Sequence, residues 1–180
     1  MGTDLTGKRV AIVATDYFEE KELTVPRKAL QDAGATVDVI APHDGEIKGL
    51  NHVAPGISVT VDKVLDMADP DDYDALVIPG GAINADALRM DTVARDFVRK
   101  MLDEQGKPTA VICHGPWLLV SSNSIRGRKV TSFHTIQDDI RNAGGEWQDS
   151  EVVVDGSLIT SRNPDDLPAF NKALIEKLQH

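Results

Sequence analysis

One cysteine in 180 residues excludes an intrachain disulfide framework and any zinc site built on clustered cysteines. No apolar run approaches the length of a membrane span. The opening Met1-Gly-Thr-Asp-Leu-Thr-Gly-Lys8 lacks the basic start and apolar stretch of a signal peptide, so a cytoplasmic protein without membrane association is expected. Basic residues are outnumbered, 19 Lys and Arg against 29 Asp and Glu, for a formal net charge of −10. Nucleic acid is therefore disfavoured as a partner, because phosphate binding needs clustered cations. His43, His52, His134 and His180 lack metal-ligand spacing, and neither a metal nor a cofactor is expected. No internal repeat, low-complexity tract or linker divides the chain. A hydrophobic content of 41% suits one domain over residues 1–180 with a substantial core.

Apolar runs alternate with helix-like stretches, the pattern of a mostly parallel sheet covered on both faces. Strands are predicted over residues 9–14, 36–41, 73–79 and 109–113, with helices over about 19–33, bent near Pro26 and stopped at Gly34, and over 91–104. Residues 42–70 are less regular; Ile57-Ser-Val-Thr-Val61 alternates like a half-exposed hairpin strand and suggests a small antiparallel flap. A helix from about Thr135 is predicted to end at Gly144-Gly145. A hairpin should pair residues 151–154 with 158–160 around Asp155-Gly156, and a last helix should run from about Pro164 to the C-terminus.

The chemistry concentrates at Thr109-Ala-Val-Ile-Cys-His-Gly-Pro116. A buried strand ends in a thiol, and Gly115-Pro116 turns the chain into a helix, which puts Cys113 at a strand-to-helix elbow. Such an elbow pushes the side chain out of the sheet edge and aims free amides and a helix N-terminus at sulfur, favouring the thiolate. Ligands of open parallel sheets bind beyond the carboxyl ends of the strands, and two further segments end there. Gly80-Gly81 serves either as an ordinary tight turn or as a close-approach loop offering N–H donors to an oxyanion. Glu19, Glu20 and Glu22 either decorate a helix N-terminus or send one carboxyl toward the thiol, where it would keep its proton. His114 can act as a base only if the elbow turns its ring back, and it needs an orienting partner that no nearby motif supplies. Arg162 could bind an anion or cap the last helix.

Five segments in order resemble the PfpI intracellular protease family: Phe18-Glu-Glu-Lys-Glu-Leu-Thr-Val-Pro26, Leu76-Val-Ile-Pro-Gly-Gly-Ala-Ile-Asn-Ala-Asp-Ala-Leu-Arg89, Ile112-Cys-His-Gly-Pro116, Asn142-Ala-Gly-Gly-Glu-Trp147, and Val152-Val-Val-Asp-Gly156 with Ser161-Arg-Asn-Pro-Asp-Asp-Leu167. That family belongs to the superfamily of the parkinsonism-associated deglycase and is related in fold to class I glutamine amidotransferases. The resemblance implies a flavodoxin-like three-layer sandwich, and a homo-oligomer, at least a dimer, with the active site near the interface. Carried over by position, it implies Cys113 as nucleophile, His114 as its neighbour, and Glu22 as the buried glutamate beside sulfur. It also implies Asp86, reaching across from the adjacent subunit, as the third triad member, where relatives usually carry a glutamate one methylene longer. Phe133 replaces a tyrosine or histidine that relatives often carry near the cysteine.

The expected activity is cysteine-dependent attack on an electrophilic carbonyl of a small dicarbonyl, its adduct or a peptide, with the oxyanion and substrate held at Gly80, Gly81 and Gly115 and by the amide of His114. The family name implies peptide cleavage, and relatives also suggest glyoxalase or deglycase action. The alternative is a redox-sensing stress protein in which Cys113 is oxidised and no second cysteine in the chain can resolve it.

Overall fold

The strand runs are apolar at consecutive positions rather than alternate ones because parallel strands at a sheet centre are covered on both faces. The computed structural model describes residues 2–180. In chain order its elements are β1 (Arg9–Val13), β2 (Phe18–Glu19), α1 (Glu20–Asp32), β3 (Thr36–Ala41), β4 (Glu46–Asn51), β5 (Ala54–Thr60), β6 (Lys63–Val64), β7 (Ala75–Ile78), α2 (Ala82–Met90) and α3 (Thr92–Val98). There follow β8 (Thr109–Ile112), α4 (Pro116–Ser121), β9 (Lys129–Val130), α5 (Gln137–Asn142), β10 (Glu146–Trp147), β11 (Val153–Asp155), β12 (Leu158–Ser161) and α6 (Leu167–Gln179). The central sheet runs β11-β12-β8-β7-β1-β3-β6. Every pairing in it is parallel except the β11–β12 hairpin.

Side-chain alternation along these strands builds two cores. Val10 and Ile12 of β1 pack with Ala110 and Ile112 of β8 against α1 and α6, through Leu23, Leu30, Phe170 and Leu174. Ala11 and Val13 face the other way with Ile78 and Val111, against Leu88, Phe97, Leu118 and Ile140 of α2, α3, α4 and α5. The molecule is thus the expected three-layer flavodoxin-like sandwich. The flap is also present: β4 pairs antiparallel with β5 and parallel with β2, a three-stranded sheet standing beside the carboxyl end of β1.

Local departures have physical causes. The helix expected over 91–104 begins at Thr92, capped by Asp91, whose side chain accepts from Val93 N and Ala94 N, and it changes to π-helix over Arg99–Glu104. α2 was not foreseen as a separate helix; its nine residues bury only Asn84, Ala85 and Leu88, too few to display a period. β9 and β10 form a two-residue parallel pair, below the length at which alternation can be read. α1 contains Pro26 without ending there and stops at Asp32, with Gly34 in the left-handed region (φ +99°) where a β-carbon is disfavoured.

Candidate active site

Cys113 follows the last residue of β8 with φ of +63°, a left-handed conformation that costs a non-glycine residue free energy and persists only when its surroundings impose it. The surroundings here are hydrogen bonds on both sides of its backbone. Cys113 N donates to Ser161 O at 3.0 Å and Cys113 O accepts from Phe133 N at 2.8 Å, while Gly115 N donates to Ile112 O at 2.9 Å to close the turn. The result turns the His114 ring back onto the preceding side chain, so that Cys113 Sγ lies 3.2 Å from His114 Nδ1.

Glu22, on α1, comes to the same point. It is fully buried, and Oε1 accepts from Gly80 N at 2.9 Å, while Oε2 makes no hydrogen bond among the described residues. Burial pushes the carboxyl up to about 8, reinforced by the charge of Glu19 and opposed by the Gly80 N–H and the Cys113 thiol. The thiol is pushed up as well, first by burial (Cys113 is 7% exposed) and then by negative charge on Glu22; the amides of Gly81 and His114 pull it down. The pair therefore titrates as a unit. It gives up one proton, and the second is held far higher because two adjacent buried charges would result. α4 has only six residues, so the two amides, rather than a long helix dipole, support charge on sulfur.

Burial lowers the His114 pKa, and His134 adds to the effect, so the imidazole is neutral. Its ring stacks on Phe133 (centroids 4.8 Å apart) and meets the edge of Trp117. Among the described residues no side chain of the same chain hydrogen-bonds its other nitrogen. Asp86 lies exposed on α2 and does not line the cleft that contains Cys113; within one chain it is not brought to His114.

The glycines divide differently from expectation. The amides of Gly80 and Gly115 are already committed, to Glu22 and to Ile112, and are not available to an oxyanion. Both are required for space instead. A β-carbon on Gly80 would lie 2.5 Å from Glu22 Oε1 and 2.6 Å from Cys113 Cβ, and one on Gly115 would lie 2.8 Å from Val111 Cγ1. The amides of Gly81 and His114 are those that lower the Cys113 thiol.

Together these groups open into a cleft of about 830 Å³. Apart from Glu19, one of the three carboxyls weighed above, some of its walls were not foreseen. Glu19, 8% exposed, accepts from His52 N at 3.2 Å through both oxygens. His52 and the exposed Val53 come from the β4–β5 turn, and Asn163 from the segment after β12. Arg162 holds that segment: it bonds Asp166 through Nε and Nη2 and Asp149 through Nη1, each at 2.9 Å. It is a structural clamp rather than an anion site. Tyr17, in the loop after β1, and Ile83, in the first turn of α2, add to the rim; isolated exposed apolar residues carry no periodic signal.

A sequence model described as the DJ-1/PfpI family matches residues 8–177. A Thermococcus kodakarensis protein named as a deglycase is 43% identical over 171 residues, covering 95% of this chain and 99% of the relative. Protein/nucleic acid deglycase 2 of Escherichia coli is 46% identical over 177 residues (95% and 98%), and general stress protein 18 of Bacillus subtilis is 44% identical over 176 (95% and 99%). Among solved structures, the chain is similar to a two-domain protein from Anabaena variabilis containing DJ-1/ThiJ/PfpI-like and ferritin-like domains. It has a TM-score of 0.90 at 36% identity and covers 96% of this chain and 48% of that one. It is also similar to Drosophila melanogaster DJ-1beta, with a TM-score of 0.85 at 26% identity, covering 96% and 94%.

Proposed function

This chain belongs to the DJ-1/PfpI family, and from that premise we propose that it is a stress-response enzyme in which Cys113 attacks the carbonyl carbon of small dicarbonyls and of their adducts. The observation that carries this reading is the convergence of one sulfur, a carboxyl raised to about 8 and a neutral imidazole on a single cleft. The names of the relatives, deglycase and general stress protein, support the substrate class.

The chemistry follows from where charge moves. Losing its first proton gives the Cys113–Glu22 pair one negative charge. In this reading the two amides that lower the thiol draw that charge to sulfur, against the burial that raises it, while Glu22 keeps its proton and has one amide, that of Gly80, at its other oxygen. Attack on an aldehyde carbon forms a C–S bond and sends the carbonyl electron pair to oxygen, where the Gly81 and His114 N–H groups stabilise it. With methylglyoxal the hemithioacetal rearranges through an enediol as neutral His114 takes a proton from one carbon and returns it to the next. Hydrolysis of the resulting thioester releases lactate and regenerates the thiol. With a carbinolamine adduct, sulfur bonds to the carbon as its C–N bond breaks and the amine leaves with a proton, which gives the same hemithioacetal.

His114 requires an orienting group for its second nitrogen. In the proposed assembly Asp86 of a second copy supplies it, so that the working unit is at least a dimer. The test is conversion of methylglyoxal to lactate by purified protein. Wild type should turn over, and Cys113→Ala should fall to background while retaining its circular dichroism and unfolding transition; equal rates in the two proteins reject the reading. The alternative, in which Cys113 is a sensor, is supported by the lone sulfur beside an acid. Selective oxygen addition at Cys113 under mild peroxide, without any turnover of carbonyls, would favour it.

A further inference from the structure

Asn84 is wholly buried, sits in the first turn of α2 and has both polar atoms of its amide bonded. Its Oδ1 accepts from Thr15 N at 2.7 Å, and its Nδ2 donates to Pro79 O at 3.2 Å and to Gly80 O at 3.0 Å. A second donor, Glu19 N, reaches Gly80 O at 3.2 Å. These contacts bind the loop after β1 to the loop after β7 immediately beside Cys113.

The peptide between Gly80 and Gly81 is planar and trans, so its carbonyl oxygen and its N–H point in opposite directions. Holding Gly80 O against Asn84 and Glu19 N therefore aims the Gly81 N–H to the far side, toward sulfur. Glycine on both sides removes the steric resistance that β-carbons would offer to rotation of this plane. Gly81, at φ +90°, already occupies a conformation that L side chains rarely adopt. It cannot be replaced to stiffen the loop, because a β-carbon there would lie 2.6 Å from Tyr17 O and 2.8 Å from Glu19 N. The loop must contain its two glycines, and its orientation has to be imposed from outside.

We propose that Asn84 is the positioning residue of the site: by gripping Gly80 O it locks the Gly80–Gly81 peptide against a flip and so holds the Gly81 N–H on the sulfur and on the oxygen of the adduct. A flipped peptide would present Gly80 O, a partial negative charge, where the donor is needed. The consequence for catalysis rests on the function proposed above; the consequence for sulfur does not.

Asn84→Asp tests it. The introduced carboxylate keeps the acceptor for Thr15 N and nearly the same shape, but loses the N–H donor and repels Gly80 O. Losing one oxyanion donor typically costs on the order of 100-fold in kcat, and KM should move far less. The Cys113 alkylation midpoint should rise by about one pH unit, since one amide no longer faces the thiolate. Lowering the pH enough to protonate the introduced carboxyl restores an O–H donor to Gly80 O and should recover part of kcat relative to wild type. Leu88→Ala, on the same helix but in the hydrophobic core, is the control for destabilisation alone and should leave the midpoint in place.

An unchanged kcat and midpoint in Asn84→Asp, or an equal shift in Leu88→Ala, would overturn the proposal. If Asn84→Asp does not fold, Asn84→Ser at reduced temperature takes its place: a lower kcat with a raised midpoint supports the lock, and no change in either overturns it. If no substrate is turned over by any form, the midpoint alone decides between a lock and a merely structural amide.

Discussion

Around Cys113 each neighbour is set by an opposing pair of demands: charge must be available on sulfur, and burial penalises it. Glu22 resolves the conflict by keeping a proton that an exposed carboxylate would lose. The folded state holds that proton up to about 8, whereas the unfolded chain releases it near 4.5. Between those values the native state binds the extra proton, so stability is greatest below the unfolded value and falls as pH rises through the window, by at most about 1.4 kcal/mol per pH unit. Glu22→Gln removes this slope. Denaturant unfolding from about pH 5 to about pH 8 should show the variant gaining stability relative to wild type, while its turnover of methylglyoxal is lower throughout. Gly80→Ala belongs to the same scale. Its β-carbon would meet Glu22 Oε1 and Cys113 Cβ inside contact distance, and overpacking of this kind costs roughly 1–3 kcal/mol. The loss should appear as a lower urea midpoint together with lost activity, because the groups displaced are those on which the proposed chemistry depends. The sequence made Cys113 legible through its abrupt break from an apolar run. Spacing alone left Glu22 tied with Glu19 and Glu20, since three carboxylates in four positions of a helix start differ only in which way they face, and only the family resemblance singled it out.

Among the elements, the segment after β12 is held by ionic contacts rather than by apolar packing. Arg162 grips Asp166, itself 4% exposed, through two parallel hydrogen bonds, and a third reaches Asp149. Asp166→Asn keeps the shape and removes the charge. Hydrogen bonds to charged groups contribute about 1.5–3 kcal/mol, so urea unfolding should lose stability on that order, and Asn163, on the cleft wall, should be less well fixed. A rise in KM larger than the fall in kcat is expected in the same variant. The strands β1, β3, β7 and β8 were legible because burial on both faces makes them continuous apolar runs. α2 was not, for it follows Gly80-Gly81 directly and buries only three side chains. The fold could thus be read where burial dictates residue type. It could not be read where a short element is held by contacts distant in sequence, as Asn84 is by Thr15.

At the level of the whole molecule, among the described residues of one chain no carboxylate hydrogen-bonds His114, and Asp86 is exposed. If a two-fold assembly supplies Asp86 in trans, the defects of Cys113→Ala and Asp86→Ala lie on different halves of each site. A mixed dimer then contains one intact site and one doubly defective site, so random equal mixing should restore about a quarter of wild-type activity. Each variant alone should remain at or near background. Failure of the mixture to exceed its components, with subunit exchange verified by mass, would place the orienting group elsewhere.

Cys113 and Glu22 sharing one negative charge, resident on sulfur, is the condition on which the proposed chemistry depends. It is tested most directly by the pH dependence of Cys113 alkylation in the intact protein. Burial alone raises the thiol; with the two amides and the proton retained on Glu22 opposing it, the predicted midpoint lies below the value of about 8.5 for a free cysteine and is displaced upward in Glu22→Gln. A midpoint at or above that value in wild type, unmoved by the substitution, would contradict it.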